Sequence, residues 1–138
     1  HDGAGIRTQL APQPPLALAD PLMVRRILEN LVGNGLDSLS GKTHGEVIVS
    51  TEWVAGGPGP ERVRITVADT GVGMSESELN RAFDDFYTTK SGGTGLGLSI
   101  VRRLILDLDG TLRVDTQPGA GTRVVVELPP ASADESRP

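Results

Sequence analysis

The chain has 138 residues, of which 37% are hydrophobic and 22% are charged, as is typical of one globular domain with its own core. Its formal net charge of −5 argues against a nucleic-acid partner, because such partners select basic surfaces. It has no cysteine, which excludes a disulfide scaffold and thiolate metal sites, and no apolar run approaches the roughly 18 residues of a membrane span.

The first half of the chain predicts, in order, a strand, a helix and two further strands. Residues 5–10 predict a short edge strand. Asp20 and Pro21 predict the start of a helix that ends near residues 40–41, because aspartate caps a helix well and proline suits its first position. Residues 46–54 and 61–69 alternate as strands do, around a loop over 55–60. The predicted buried stripe of the helix is Val24, Ile27, Leu28, Leu31 and Gly35.

The second half predicts a short helix and turn over residues 75–85, a mobile loop over 86–95 and a long helix over 96–107. Strands over 111–116 and 122–128 form a closing hairpin around "QPGAG". We therefore expect a two-layer α/β sandwich over residues 1–130, with about five strands under about three helices, and a disordered tail over 131–138. The predicted buried face of the long helix is Gly97, Ile100, Val101, Leu104 and Leu108.

The polar side of the first helix carries candidate metal ligands. Arg26, Asn30, Asn34 and Asp37 are spaced by four, four and three residues and share one helix face. Asparagine is a poor residue inside a helix, because its side chain competes for backbone hydrogen bonds. Amide oxygens suit Mg²⁺, which takes one or two protein oxygens plus phosphates and water. The alternative interpretation of this face is a solvated polar surface.

The segment "ITVADTGVGM" carries a candidate base-recognition carboxylate. Strand alternation puts Asp69 on the inward face of Val63, Ile65 and Val67. A carboxylate aimed at an apolar layer needs hydrogen-bond donors, and an adenine amino group is a suitable one. Gly71 and Gly73 would then let the backbone approach a flat ligand. A turn closed by a bond from Asp69 to its own backbone is the alternative.

The segment "TTKSGGTGLGLSIV" predicts a phosphate-binding backbone. Its glycines leave N–H groups exposed where a helix begins, and the helix dipole favours negative charge there. Lys90 would add a positive charge, whereas a flexible linker is the alternative. The glycines concerned are Gly92, Gly93, Gly95 and Gly97.

In this order these segments resemble the ATP-binding catalytic domain of sensor histidine kinases, which has the Bergerat fold. "ENLVGNGLDS" is similar to the family's N box, "DTGVGM" to its G1 box, "FDDFYTTK" to its F box and "GGTGLGLSIV" to its G2 box. The form of the last two is most similar to the nitrogen-regulation type of sensor kinase. The resemblance implies a mixed, mostly antiparallel sheet, and cofactors ATP and Mg²⁺.

The resemblance also implies residue roles. Asn34 would be the main Mg²⁺ ligand with Asn30 beside it, Asp69 would read the adenine amino group, and Thr122 would support the adenine through a water. Asn30, Asn34 and Lys90 are the implied catalytic residues. The implied nucleotide contacts are Asp69, Gly71, Gly73, Phe83, Phe86, Thr89, Lys90, Gly93, Thr94, Gly95, Leu96, Gly97 and Thr122.

The implied activity is donation of the ATP γ-phosphate to a histidine on a separate dimerisation domain, with a response regulator downstream. We expect a monomeric, cytoplasmic domain without direct membrane contact, low activity in isolation and a parent that can be membrane-anchored. Hydrolytic relatives and anti-sigma kinases carry a glutamate four residues before the magnesium asparagine, where this chain has Asn30. A nucleotide-sensing or docking module without kinase activity is a further alternative.

The chain departs from the family pattern at several positions. Gly35 replaces the usual alanine, Arg26 the usual glutamine, and Asp85 stands where proline is common. "DLDG" over residues 107–110 replaces the usual His-Gly-Gly before the last hairpin. None of these changes removes an implied nucleotide contact, but they make the packing of the lid and of the sheet edge less predictable.

Overall fold

A computed structural model describes residues 4–9, 21–39, 45–54, 62–83 and 97–129 of the chain. Within these ranges it contains five strands and three helices. In chain order the elements are β1 (Ala4–Gln9), α1 (Pro21–Ser38), β2 (Gly45–Val54), β3 (Arg62–Asp69), α2 (Glu76–Arg81), α3 (Gly97–Asp107), β4 (Thr111–Thr116) and β5 (Thr122–Leu128).

The five strands form one sheet in the order β1-β2-β3-β5-β4. β1 runs parallel to β2, and the other three pairs are antiparallel. The expectation of a mixed, mostly antiparallel sheet with β1 at an edge is confirmed. The register of β3 and β5 places Asp69 opposite Thr122, so two of the predicted site residues face each other across one ladder.

Helices α1 and α3 pack against each other, and the buried side chains of both join those of the sheet in one core. The predicted stripe of α1 is confirmed, with Ile27 and Leu31 fully buried and Val24 and Leu28 packed beside them. On α3 the prediction was partly wrong, because it omitted Ile105, which is 1% exposed. Burying an isoleucine side chain stabilises a fold by roughly 1.5–3 kcal/mol, so this omission concerns a main core position. The buried members of the core cluster are Ile27, Leu31, Leu39, Val47, Ile65, Val67, Val101, Ile105, Val124, Val126 and Leu128.

The C-terminus of α3 explains the unusual "DLDG" sequence. The Gly110 N–H donates to the Ile105 carbonyl at 2.9 Å, and the Asp109 N–H donates to the Leu106 carbonyl at 3.1 Å. These two bonds are those of a Schellman motif, which needs a left-handed residue just after the helix. Asp109 takes that position with φ 58°, so aspartate adopts the conformation that the family resemblance assigns to glycine.

The other face of the sheet carries an ion-pair cluster far from the predicted site. The Arg64 guanidinium lies 2.9 Å from a carboxylate oxygen of Glu127 and 3.2 Å from one of Glu52. The hydrogen bond from Arg64 to Glu127 is the main cause that raises the pKa of Arg64. No helix among the described residues is both long and apolar enough to cross a membrane.

Several predictions lie outside the described residues. They are the Asp20 cap, the loop over 55–60, the segment 84–96, which includes nearly all of the loop expected over 86–95, and the tail over 131–138.

Candidate functional site

The carboxylate of Asp69 is fixed by the backbone around it. Its Oδ1 accepts the N–H of Gly71 at 2.8 Å and the N–H of Thr122 at 3.3 Å. The turn that the sequence left as an alternative is therefore present, but it uses one oxygen only. Among the described residues, Oδ2 of Asp69 has no hydrogen-bond partner. The site thus offers a half-buried carboxylate oxygen as an acceptor in a fixed direction.

The glycines after Asp69 are required by the protein itself. A Cβ at Gly71 would lie against Oγ of Ser38, and one at Gly73, which has φ 69°, would lie against the carbonyl oxygen of Gln117. A side chain at either position would push the loop away from α1 or from the β4–β5 turn. The sequence interpretation invoked ligand approach alone, whereas the packing supplies an independent reason for both glycines.

The loop after β3 is joined to the β4–β5 turn by a hydroxyl that the sequence analysis missed. Thr116 Oγ1 accepts the Met74 N–H at 2.9 Å, lies 3.1 Å from the Gly121 carbonyl oxygen and lies 2.8 Å from Oγ1 of Thr122. Alternation along β4 could have placed Thr116 inward with Leu112 and Val114. Its neighbours, however, depend on the register across the turn. We call residues 69–74 and 116–122 together the junction.

Helix α1 reaches the junction through Gly35 and Ser38. A Cβ at Gly35 would lie 2.9 Å from Cγ2 of Val47 and 3.6 Å from Cβ of Asp69. The Val72 N–H donates to the Ser38 carbonyl at 3.2 Å. The departure from alanine at residue 35 therefore makes room for Val47, which is 0% exposed. It also brings the end of α1 that carries Asn34 against the strand end that carries Asp69.

The polar face of α1 carries the candidate metal ligands. Asn30 and Asn34 are half-buried, whereas Arg26 and Asp37 are exposed. Asn30 Nδ2 donates to the Arg26 carbonyl at 2.9 Å, which leaves the amide oxygen of Asn30 pointing away from that bond. Within the described ranges no three His, Cys, Asp or Glu side chains cluster as a metal site would require. The amide oxygens of Asn30 and Asn34 suit a hard cation that also binds phosphates and water.

The mobile loop predicted over residues 86–95 lies outside the described residues, but Phe83 before it and Gly97 after it are described. Phe83 is half-buried, and the Arg102 guanidinium lies 5.3 Å from the centroid of its ring, which joins the end of the α2 segment to α3. Gly97 begins α3, as predicted to within one residue. The predicted contacts that lie outside the described residues are Phe86, Thr89, Lys90, Gly93, Thr94, Gly95 and Leu96.

A cavity of about 410 Å³ opens beside the junction, between α2 and the β4–β5 hairpin. It shares Thr116, Gln117, Ala120 and Gly121 with the junction but contains neither Asp69 nor the asparagines of α1. Its lining is Leu79, Val114, Asp115, Thr116, Gln117, Ala120 and Gly121.

Comparison with known proteins matches residues 19–132 to the family described as histidine kinase-, DNA gyrase B-, and HSP90-like ATPase. The virulence sensor protein BvgS of Bordetella bronchiseptica is 37% identical, over 88% of this chain and 11% of that protein. The sensor histidine kinase AruS of Pseudomonas aeruginosa is 38% identical, over 82% of this chain and 12% of that protein. The chain thus spans a small part of the curated relatives it matches.

Solved structures show the same fold. Full-length ShkA in complex with AMPPNP superposes with a TM-score of 0.79 at 35% identity, over 96% of this chain and 27% of that one. The mycobacterial sensor histidine kinase MprB superposes with a TM-score of 0.76 at 26% identity, over 93% of this chain and 83% of that one. The predicted α/β sandwich of the Bergerat type is confirmed.

Proposed function

Because this chain belongs to the family of histidine kinase-, DNA gyrase B-, and HSP90-like ATPases, we propose that it is the ATP-binding catalytic domain of a two-component sensor histidine kinase. The observation that carries the proposal is the geometry of Asp69. Its Oδ1 is held by two backbone N–H groups, and Oδ2 is left as an acceptor beside Thr122. An adenine presents an amino donor, whereas a guanine presents a carbonyl oxygen at the same position, so this oxygen selects ATP.

The same proposal assigns the phosphate end to α1 and to the start of α3. Asn34, with Asn30 beside it, would hold Mg²⁺ through amide oxygens, and the donor set fits, because the bond from Asn30 to Arg26 leaves its oxygen available. When bound, Mg²⁺ neutralises charge on the phosphates. Lys90 and the backbone at residues 93–97 would bind the phosphate oxygens, with Gly97 at the N-terminus of α3.

The residues on the polar face of α1 favour phosphoryl transfer to an acceptor over hydrolysis of ATP. A hydrolytic ATPase of this family needs a carboxylate one helical turn before the magnesium asparagine, and this chain has the amide of Asn30 there. Glu29, the adjacent carboxylate, lies 3.8 Å from Arg25 with 66% of its side chain exposed. It is five residues from Asn34, which places it about 140° around the helix. Glu29 is therefore not positioned beside Asn34 to activate water.

The acceptor would be a histidine on a separate dimerisation domain, with a response regulator receiving the phosphoryl group afterwards. Phosphoryl transfer depends mainly on positioning and charge neutralisation, so this domain need not supply a covalent group. The low activity, the cytoplasmic location and the monomeric state expected from the sequence are part of this proposal. So is the assignment to the nitrogen-regulation type.

Calorimetric titration with ATP and GTP, each with and without Mg²⁺, tests the proposal. We expect ATP to bind, Mg²⁺ to strengthen its binding and GTP to bind poorly. We also expect negligible release of labelled phosphate from ATP, since residue 30 is an asparagine where the hydrolytic relatives carry a glutamate. Rapid hydrolysis would favour an ATPase, whereas binding without a Mg²⁺ effect would favour a nucleotide-sensing module.

A further inference from the structure

The hydroxyl of Thr116 uses every hydrogen-bonding position it has. A threonine hydroxyl has one proton to donate and two lone pairs that accept. The Met74 N–H occupies one lone pair at 2.9 Å. The Gly121 oxygen at 3.1 Å is a carbonyl and can only accept, so it takes the Thr116 proton. The remaining contact, 2.8 Å to Thr122, must then fill the second lone pair.

This assignment fixes the direction of the Thr122 hydroxyl. If all three contacts of Thr116 are hydrogen bonds, Thr122 is the donor in the bond between the two hydroxyls. Its proton then points at Thr116, and only its lone pairs are left for a ligand. Thr122 also lies opposite Asp69, whose remaining oxygen accepts but cannot donate when ionised. These two side chains therefore present acceptors only.

We propose that Thr116 is a positioning residue for base selectivity, because it holds the Thr122 hydroxyl as an acceptor against any base that carries a carbonyl oxygen there. The inference rests on the proposed ATP site. A base with an amino group can donate directly to Thr122. A base with a carbonyl oxygen brings one acceptor against another. Without the Thr116 hydroxyl, Thr122 can turn its proton toward that carbonyl.

The experiment compares three nucleotides that differ at one carbon of the purine. ATP carries an amino group at C6, inosine triphosphate carries an oxygen there, and purine riboside triphosphate carries only hydrogen. Affinities are measured for the unmutated chain, for Thr116→Val and for Thr116→Ser. We expect Thr116→Val to narrow the preference for ATP over inosine triphosphate by about three- to tenfold, the worth of one neutral hydrogen bond. Thr116→Ser should retain the preference.

Purine riboside triphosphate and the variant Gly119→Ala distinguish a change in base selectivity from a general loss of stability or affinity. Thr116→Val leaves the Met74 N–H and the Gly121 carbonyl without this partner, so it lowers stability and can weaken every nucleotide equally. The ratio of ATP to purine riboside triphosphate should therefore stay nearly constant. Gly119→Ala strains the same turn, where φ is 79°, without touching Thr116, and should leave all ratios unchanged.

A second variant tests the inference even if Thr116→Val fails to fold. Thr122→Val removes the hydroxyl whose lone pairs accept the hydrogen bond. The preference for ATP over inosine triphosphate should therefore become smaller, although the chain keeps Thr116. The inference is overturned if a folded Thr116→Val keeps the full preference while ATP still binds, or if Thr122→Val does not narrow it. If the unmutated chain binds none of the three nucleotides, the proposed function fails as well.

Discussion

The junction and the polar face of α1 are built by different means, although both belong to one proposed site. In the junction, backbone N–H groups, one threonine hydroxyl and two crowded glycines fix the position of Asp69. On α1, Asn30 and Asn34 are half-buried side chains on a helix face between exposed neighbours. The proposed base-recognition end is therefore positioned by backbone contacts of the fold, whereas the proposed metal ligands are side chains on a helix surface.

This difference predicts that substitutions of the hydrogen-bonded and crowded residues of the junction act on folding and selectivity, whereas substitutions of the asparagines of α1 act locally. The link between the two regions is Gly35, which lies close to Val47 and Asp69. The two regions are thus adjacent in the fold, but different kinds of contact hold their residues in place.

The largest effect is expected from Gly73→Ala. Its Cβ would meet the Gln117 carbonyl oxygen in a backbone conformation with φ 69°, so the loop and the turn would have to separate. The free energy of unfolding should fall by more than about 2–3 kcal/mol. Urea titration followed by the fluorescence of Trp53, the single tryptophan, measures it.

Gly119→Ala is the matched control for crowding. Its φ of 79° imposes a similar backbone strain, but among the described residues no atom lies within 4 Å of the added Cβ. It should cost only about 1–2 kcal/mol. Equal losses in the two variants would show that strain alone, and not the contact with Gln117, makes Gly73 necessary.

Asp69→Asn should lower ATP affinity while the fold is kept. The variant amide can still accept the Gly71 and Thr122 N–H groups through its oxygen, but it places an NH₂ group where Oδ2 accepts. Loss of a hydrogen bond to a charged acceptor predicts a decrease of about 1.5–3 kcal/mol in calorimetric binding free energy. Equal affinities of the unmutated chain for ATP and GTP would contradict the role of Asp69 in adenine recognition.

Asn34→Ala should remove most of the Mg²⁺-dependent part of ATP binding. We expect at least about tenfold weaker binding in the presence of Mg²⁺, ~1.4 kcal/mol, and little change for adenosine, which has no phosphates. Asn80→Ala is the control, because it makes the same change at an exposed position of α2. If Asn34→Ala keeps the full Mg²⁺ effect, then Asn30 or another group holds the ion.

Features that follow from local sequence patterns, such as strand alternation and turn composition, were predictable from the sequence. Alternation over residues 61–69 predicted the inward face of β3 and with it the direction of Asp69, and the "QPGAG" turn predicted the β4–β5 hairpin. These predictions succeed because strand parity and turn composition are local properties.

Features that depend on register or on exact helix rotation were not predictable. Thr116 meets Met74 across 42 residues, and nothing in its own neighbourhood signals that contact. Ile105 was omitted because the predicted stripe of α3 was too narrow: it included Val101, Leu104 and Leu108, which belong to the core or pack against it, but not Ile105 beside them. The left-handed Asp109 likewise stands where composition alone favours glycine.

The smallest effect is expected from Gly33→Ala on α1, which should raise stability rather than lower it. Among the described residues no heavy atom lies within 4 Å of a Cβ at this position, so the methyl group meets no obstacle. Alanine loses less conformational entropy than glycine when a helix forms, so the free energy of unfolding should rise by about 0.5–1 kcal/mol. Urea titration beside Gly73→Ala compares a glycine that the fold tolerates with one that it requires. A loss of stability in Gly33→Ala would mean that this turn of α1 is packed as closely as the junction, and that the contrast between the two regions does not hold.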